Sequence, residues 1–182
     1  MSKKYIAFYK PYGFVSQFTG DRPEETLSQF NLPPHVYAVG RLDKDSEGLL
    51  LLTNDGPFKH KLSNPDCKKP KTYLAQVEGT PTKEALKKME KGLVIKNYKT
   101  RPCQVEVIPE PGIPERNPPI RFRKTIPTTW LQITLYEGKN RQVRRMTAAI
   151  GYPTLRLIRQ SIDSYSLGDL NPGEWKSLNL KS

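Results

Sequence analysis

Residues 49–53 read LLLLT, four leucines and a threonine set between an acidic segment and the turn residues Asn54, Asp55 and Gly56. A short run that is apolar at every position, bounded by turn residues, predicts a strand buried on both faces. The stretch leading into it, GRLDKDSEG, crowds Asp43, Asp45 and Glu47 into five residues. Three neighbouring carboxylates repel one another, so at least one of them calls for a cationic partner.

The rest of the chain predicts elements that build a sheet around that strand. Alternating or apolar strands are expected at residues 5–9, 72–78, 104–108, 130–136 and 155–158, with shorter ones at 93–95 and 99–101. Pro11 and Gly13 of the KPYG stretch end the first strand in a turn. Helices are expected at residues 24–30, 57–62, 82–91 and 141–150. Thr82 is placed to cap the third and Gly92 to stop it; Asn140 and Gly151 are placed to cap the fourth. Residues 109–127, PEPGIPERNPPIRFRKTIP, predict a long irregular loop, a kind of segment that is often functional. The sum is an α+β domain dominated by antiparallel pairings.

Charge narrows the partner. Thirty Lys and Arg against 18 Asp and Glu give a net of +12. Residues 115–159 carry a net of +8 and residues 59–71 a net of +4, so the excess sits in two segments. Concentrated positive charge points to a polyanion, most often nucleic acid, over an evenly basic surface. The chemistry-bearing motifs of other classes are missing. Cys67 and Cys103 form no CxxC pair, and His35 and His60 lie far from both. A structural zinc, a disulfide framework and a Ser–His triad therefore have no support, and a reducing cytoplasm fits. The sequence has no Gly-rich phosphate loop, EF-hand or HExxH pattern, so no metal or organic cofactor is expected. No apolar stretch approaches the roughly 20 residues that span a bilayer, so no membrane partner is expected.

Three places remain for chemistry. In EGKNRQVRRMTAAIG, residues 137–151, helical spacing puts Val143, Met146, Thr147 and Ile150 on one core-facing stripe and Arg141, Arg144 and Arg145 on the other half. Three arginines beside a basic loop suit phosphates, and arginine also makes the bidentate carboxylate pair. Asp43 sits just ahead of the buried strand, where a carboxylate held ionised by a nearby Arg can serve as a nucleophile. Asp45, Ser46 and Glu47 suit loop-shaping bonds. Tyr73 in KTY, at the start of a strand, offers either core packing or a ring for an unpaired base. The residues alone also leave open a non-catalytic nucleic-acid-binding protein, and a retaining hydrolase using Asp43 with Glu47.

Taken together, KPYG, GRLDKDSEGLLLLTNDG, KTY, EGKNRQVRRM and LRLIR resemble the RsuA-type pseudouridine synthases, in family order and over nearly the whole chain. The resemblance implies a pseudouridine synthase fold: a mixed, mainly antiparallel sheet with flanking helices and a central catalytic cleft. It also implies one catalytic domain over residues 1–182, two lobes sharing a sheet, without the S4 RNA-binding domain. The implied activity is isomerisation of one uridine in 23S ribosomal RNA, or in a large-subunit precursor, by a monomer that needs no cofactor. Carried over residue by residue, the nucleophile falls on Asp43, the tyrosine packed against the flipped uracil on Tyr73, and the arginine paired with the aspartate on Arg144. Arg41 matches an arginine that fills the vacated stack, and Leu157 an apolar residue of the pocket. Lys71, Arg121, Arg123, Lys124, Arg141 and Arg145 complete the expected RNA contacts. Without an S4 domain, affinity has to come from the catalytic domain and its basic loop.

Overall fold

The computed structural model describes residues 1–121 and 123–180. In chain order the strands and α-helices are β1 (Tyr5–Lys10), β2 (Tyr37–Ala38), β3 (Glu47–Thr53), α1 (Gly56–Ser63), β4 (Lys71–Glu78), α2 (Lys83–Lys91), β5 (Val94–Ile95), β6 (Tyr98–Lys99), β7 (Gln104–Ile108), β8 (Thr128–Leu135), α3 (Gln142–Ala149), β9 (Thr154–Ile162), β10 (Tyr165–Ser166) and β11 (Trp175–Ser177). The chain divides into two compact units, Lys68–Ile158 and the segments on either side of it. The expected α+β composition with antiparallel pairing is what the structure has.

In the first unit, β3 pairs antiparallel with β1, Tyr9 opposite Leu49 and Lys10 opposite Gly48. On its other edge β1 pairs with β11, and β2 pairs with the end of β3. All seven residues of β3 are buried, including Glu47 and Thr53, which fits the two-faced cover expected of four leucines. Each leucine removed from water contributes about 1.5–3 kcal/mol. Ile6, Phe8, Leu50 and Leu52 share one core with Leu27, Val36 and Leu42. Leu42 thus anchors the loop that carries Asp43.

Gly48 has φ +112, and a Cβ there would lie 2.2 Å from the Arg159 carbonyl oxygen. Only glycine lets these two backbones come so close. Arg159 is itself buried, its Nε donating to the Leu49 carbonyl at 2.9 Å.

In the second unit, β8 lies between β4 and β7, antiparallel to both, with Tyr73 opposite Ile133 and Val105 opposite Ile133 from the other side. Their inward residues form a core with Leu86 and Met89 of α2, Val143 and Met146 of α3, and Leu157 of β9. Helix α2 begins as its sequence predicts: Thr82 Oγ1 accepts from the Ala85 amide at 3.1 Å, and Gly92 ends the helix at φ +111.

Several expectations are corrected. Residues 24–30 form two single 3₁₀ turns, Pro23–Glu25 and Leu27–Gln29. Thr26 stands between them in an extended conformation, its hydroxyl bonded to the Pro23 carbonyl, and that breaks the helical path. Asn140 does not cap α3: its side-chain oxygen accepts from Arg145, and the N-cap position is Arg141, at φ +51. Glu47 is the first residue of β3 and not a loop residue. Strand β9 runs to Ile162, past the expected end at residue 158, and β2, β10 and β11 carry too few residues to show a period in the sequence.

Candidate active site

Asp43 is half-buried on a turn closed by the Ser46 amide donating to its carbonyl at 3.0 Å. The chain around it is pinned from several directions. Ser16 Oγ donates to the Leu42 carbonyl at 2.8 Å and accepts the Leu42 amide at 3.0 Å, so one buried hydroxyl holds both backbone groups of the preceding residue. The Gly13 amide donates to the Lys44 carbonyl at 2.8 Å. Lys44 Nζ pairs with Glu25 at 2.7 Å, and Arg41 Nη2 donates to Gln17 Oε1 at 2.9 Å. A turn held at so many points keeps the backbone that carries Asp43 in one place, the kind of support a precise site requires.

Lys10 is the principal residue that sequence reasoning passed over. It is 0% exposed, and its ammonium donates to the carbonyls of Phe14 at 2.7 Å and Pro11 at 2.9 Å, with Lys44 O at 3.5 Å. Burial pulls it down from the ordinary lysine range to about 7, opposed by the negative charges of Glu47, Asp45 and Asp43. A buried cation beside three carboxylates supplies part of the partner that their crowding demands. Its signal was the lysine of KPYG, at the end of an apolar strand where a charged residue had to be either solvent-facing or paired.

The other candidates lie in the second unit. Tyr73 is half-buried on β4 and packs against the core that holds Val143, Met146 and Leu157. Lys71 opens the same strand, its ammonium near Gly138. Arg144 lies on α3, whose Val143, Met146 and Thr147 are buried as the stripe predicts. The helix ends in a Schellman arrangement: the Tyr152 amide donates to the Thr147 carbonyl at 2.9 Å and the Gly151 amide to the Ala148 carbonyl at 3.0 Å. Arg145 is half-buried, its Nε donating to the Asn140 carbonyl at 3.0 Å, so it shapes the approach to the helix.

Among the loop cations, Arg121, Arg123 and Lys124 are exposed, and Arg123 lies 3.8 Å from Glu78. Arg116 donates to the carbonyls of Pro118 and Pro119 and so folds the proline-rich segment on itself. Two of the ten cations in residues 115–159 serve the interior: Arg156, which donates to the Pro114 carbonyl at 2.8 Å, and Arg159. Among the described residues no cluster of His, Cys, Asp or Glu has a metal-holding arrangement, and no helix is long and apolar enough to cross a membrane. The first unit, taken by itself, offers a carboxylate on a pinned turn, a group able to act as a nucleophile; the second, taken by itself, offers an aromatic ring on a strand and arginines at the head of a helix, groups that suit a base and phosphates.

Comparison with known proteins identifies the family. The family model described as RNA pseudouridylate synthase matches residues 4–149. Ribosomal large subunit pseudouridine synthase E of Vibrio vulnificus is 56% identical over 180 residues, 99% of this chain and 77% of that protein. The enzyme of the same name from Xanthomonas campestris is 53% identical over 175 residues, 94% of this chain and 93% of that one. A solved structure described as a pseudouridylate synthase superposes with a TM-score of 0.80 at 27% identity, over 98% of this chain and 71% of that chain. With the expected strands, turns and motifs in place along the matched residues, this chain belongs to the RNA pseudouridylate synthase family.

Proposed function

We propose that this protein isomerises a uridine of large-subunit ribosomal RNA to pseudouridine, with Asp43 as the nucleophile. The observation that carries the reading is the Asp43 turn, pinned by Ser16, Gly13 and Lys10, in a chain whose relatives are named for that activity. The target base leaves its stack to be reached, at a cost of a few kcal/mol that is smallest for an unpaired nucleotide. Phosphate contacts from the exposed loop cations Arg121, Arg123 and Lys124, with Arg141 at the N-cap of α3, Arg145 on α3 and Lys71 on β4, offset that cost.

In the reaction the N1–C1′ bond breaks, the uracil turns, C5 joins C1′, and the proton on C5 departs while N1 regains one. Substrate and product have the same composition, so the step needs no redox partner or energy source. Asp43 is ionised when it adds to the nucleoside, whether at C1′ or at C6. In this reading Arg144 supplies the positive charge that serves the nucleophile, Tyr73 packs against the displaced uracil, Leu157 lines the pocket, and Arg41 fills the vacated place in the stack. The protein acts as a monomer in the cytoplasm.

Pseudouridine mapping tests the reading against that of a ribosomal RNA-binding protein without catalysis, which no observation here favours. Large-subunit RNA from cells lacking the gene is expected to have lost one pseudouridine, restored by the wild-type gene. An unchanged pseudouridine map refutes the proposal.

A further inference from the structure

The start of α3 is built in an unusual way. Its N-cap residue, Arg141, makes no side-chain capping bond and sits in the left-handed region at φ +51, ψ +35. That conformation is strained for a residue with a Cβ, so the surroundings have to impose it. Two buried side chains do. Gln142, the first helical residue, accepts the Lys139 amide on its Oε1 at 3.1 Å, while its own amide donates to the Lys139 carbonyl at 3.1 Å. Its side-chain amide donates to Glu137 Oε2 at 2.8 Å and reaches Met146 Sδ at 3.6 Å.

Glu137 is 5% exposed, and both of its oxygens are engaged: Oε2 also accepts the Arg101 amide at 2.7 Å, and Oε1 accepts the Tyr98 hydroxyl. Lys139 Nζ rests 4.5 Å from the centre of the Tyr98 ring. Burial pushes Glu137 upward, but the bonds from Tyr98, Arg101 and Gln142 more than compensate and leave its carboxyl below the usual range. The group is therefore an anion at neutral pH, held inside the most basic part of the second unit.

Together these contacts form a buried clamp that joins the end of β8, the β6 hairpin and the first turn of α3. Arg141 and Arg144 flank Gln142 at one and two residues, so the clamp fixes the stretch that aims both. We propose that Glu137 and Gln142 are positioning residues for the isomerisation, acting through Arg144. The inference rests on the role given to Arg144 above. It assigns function to two residues of EGKNRQ that touch neither RNA nor reacting atoms.

The test uses single-turnover conversion of uridine with excess full-length protein, together with RNA affinity and melting temperature. Glu137→Gln keeps the volume and removes the charge; Gln142→Met keeps the volume and the helix propensity and removes the bonds, and it carries the test should the first variant not fold. The expected result is a rate about tenfold or more lower, with RNA affinity within about threefold and a folded protein at the assay temperature. Pairing each variant with Arg144→Ala separates positioning from general destabilisation. If the clamp works through Arg144, Glu137→Gln and Gln142→Met cost little further rate in the Arg144→Ala background. A wild-type rate in both single variants, or losses that multiply fully with that of Arg144→Ala, overturns the proposal. An Arg144→Ala protein with wild-type rate overturns instead the role of Arg144 itself.

Discussion

Replacing Gly48 by alanine tests whether the carboxylate loop depends on the close approach behind it. The added Cβ would lie 2.2 Å from the Arg159 carbonyl oxygen and 2.6 Å from its nitrogen, both backbone atoms that cannot rotate away. The residue also holds φ +112, where an L side chain is strained. Strain of that kind costs about 1–3 kcal/mol, and overpacking a filled interior about another 1–3 kcal/mol. The sum, roughly 2–6 kcal/mol, is a large share of the 5–15 kcal/mol that typically holds a domain together. Gly40 is the control: its φ is +68, but a Cβ there meets nothing within 4 Å. Gly40→Ala is expected to cost only about 1–2 kcal/mol. Urea unfolding of the two variants beside the wild type reads the difference directly. Equal midpoints for the two variants would refute the argument that β3 and Arg159 are locked by the missing side chain.

Two other outcomes follow from the electrostatics. Lys10 in the folded protein titrates near 7, while the unfolded lysine titrates near its ordinary value of about 10.4. Between those values the unfolded chain binds the proton that the folded one lacks, so wild-type stability should rise with pH relative to Lys10→Met, by up to a few kcal/mol from pH 7 to 10. A difference that stays flat across that window contradicts a buried, depressed Lys10. Neutralising Arg121, Arg123 and Lys124, all exposed, should weaken RNA binding. It should also flatten the slope of log affinity against log salt by about 0.7–0.9 for each phosphate that the loop no longer neutralises. Unchanged affinity at low salt removes the loop from the RNA interface.

The parts of the fold that were legible in the sequence are those where one local rule dominates. Four leucines dictated β3, Thr82 and Gly92 bounded α2, and the 3.6-residue stripe of Val143, Met146 and Thr147 oriented α3. The failures have two physical causes, side-chain bonds to nearby backbone and partners distant in the chain. Thr26 breaks a helical-looking stretch because its hydroxyl bonds back to Pro23. The two- and three-residue strands β2, β10 and β11 exist only because a longer strand offers them an edge. Asp43, Tyr73 and Arg144 are candidates that motif order singles out, a signal that residue chemistry alone supplies only in part. Lys10 and Glu137 are not among them. Each is a charged residue buried through partners that no periodic pattern announces, the nearby Phe14 and distant Lys44 carbonyls for one and the distant Tyr98 and Arg101 for the other.

The central claim is that Asp43 performs the nucleophilic step of a uridine isomerisation. The direct measurement is release of tritium from large-subunit RNA labelled at C5 of uridine, with the wild-type protein and with Asp43→Asn, alongside RNA binding by both. About one tritium released per RNA is expected from the wild type, and none above background from Asp43→Asn at comparable RNA affinity. Substantial release by Asp43→Asn would contradict it.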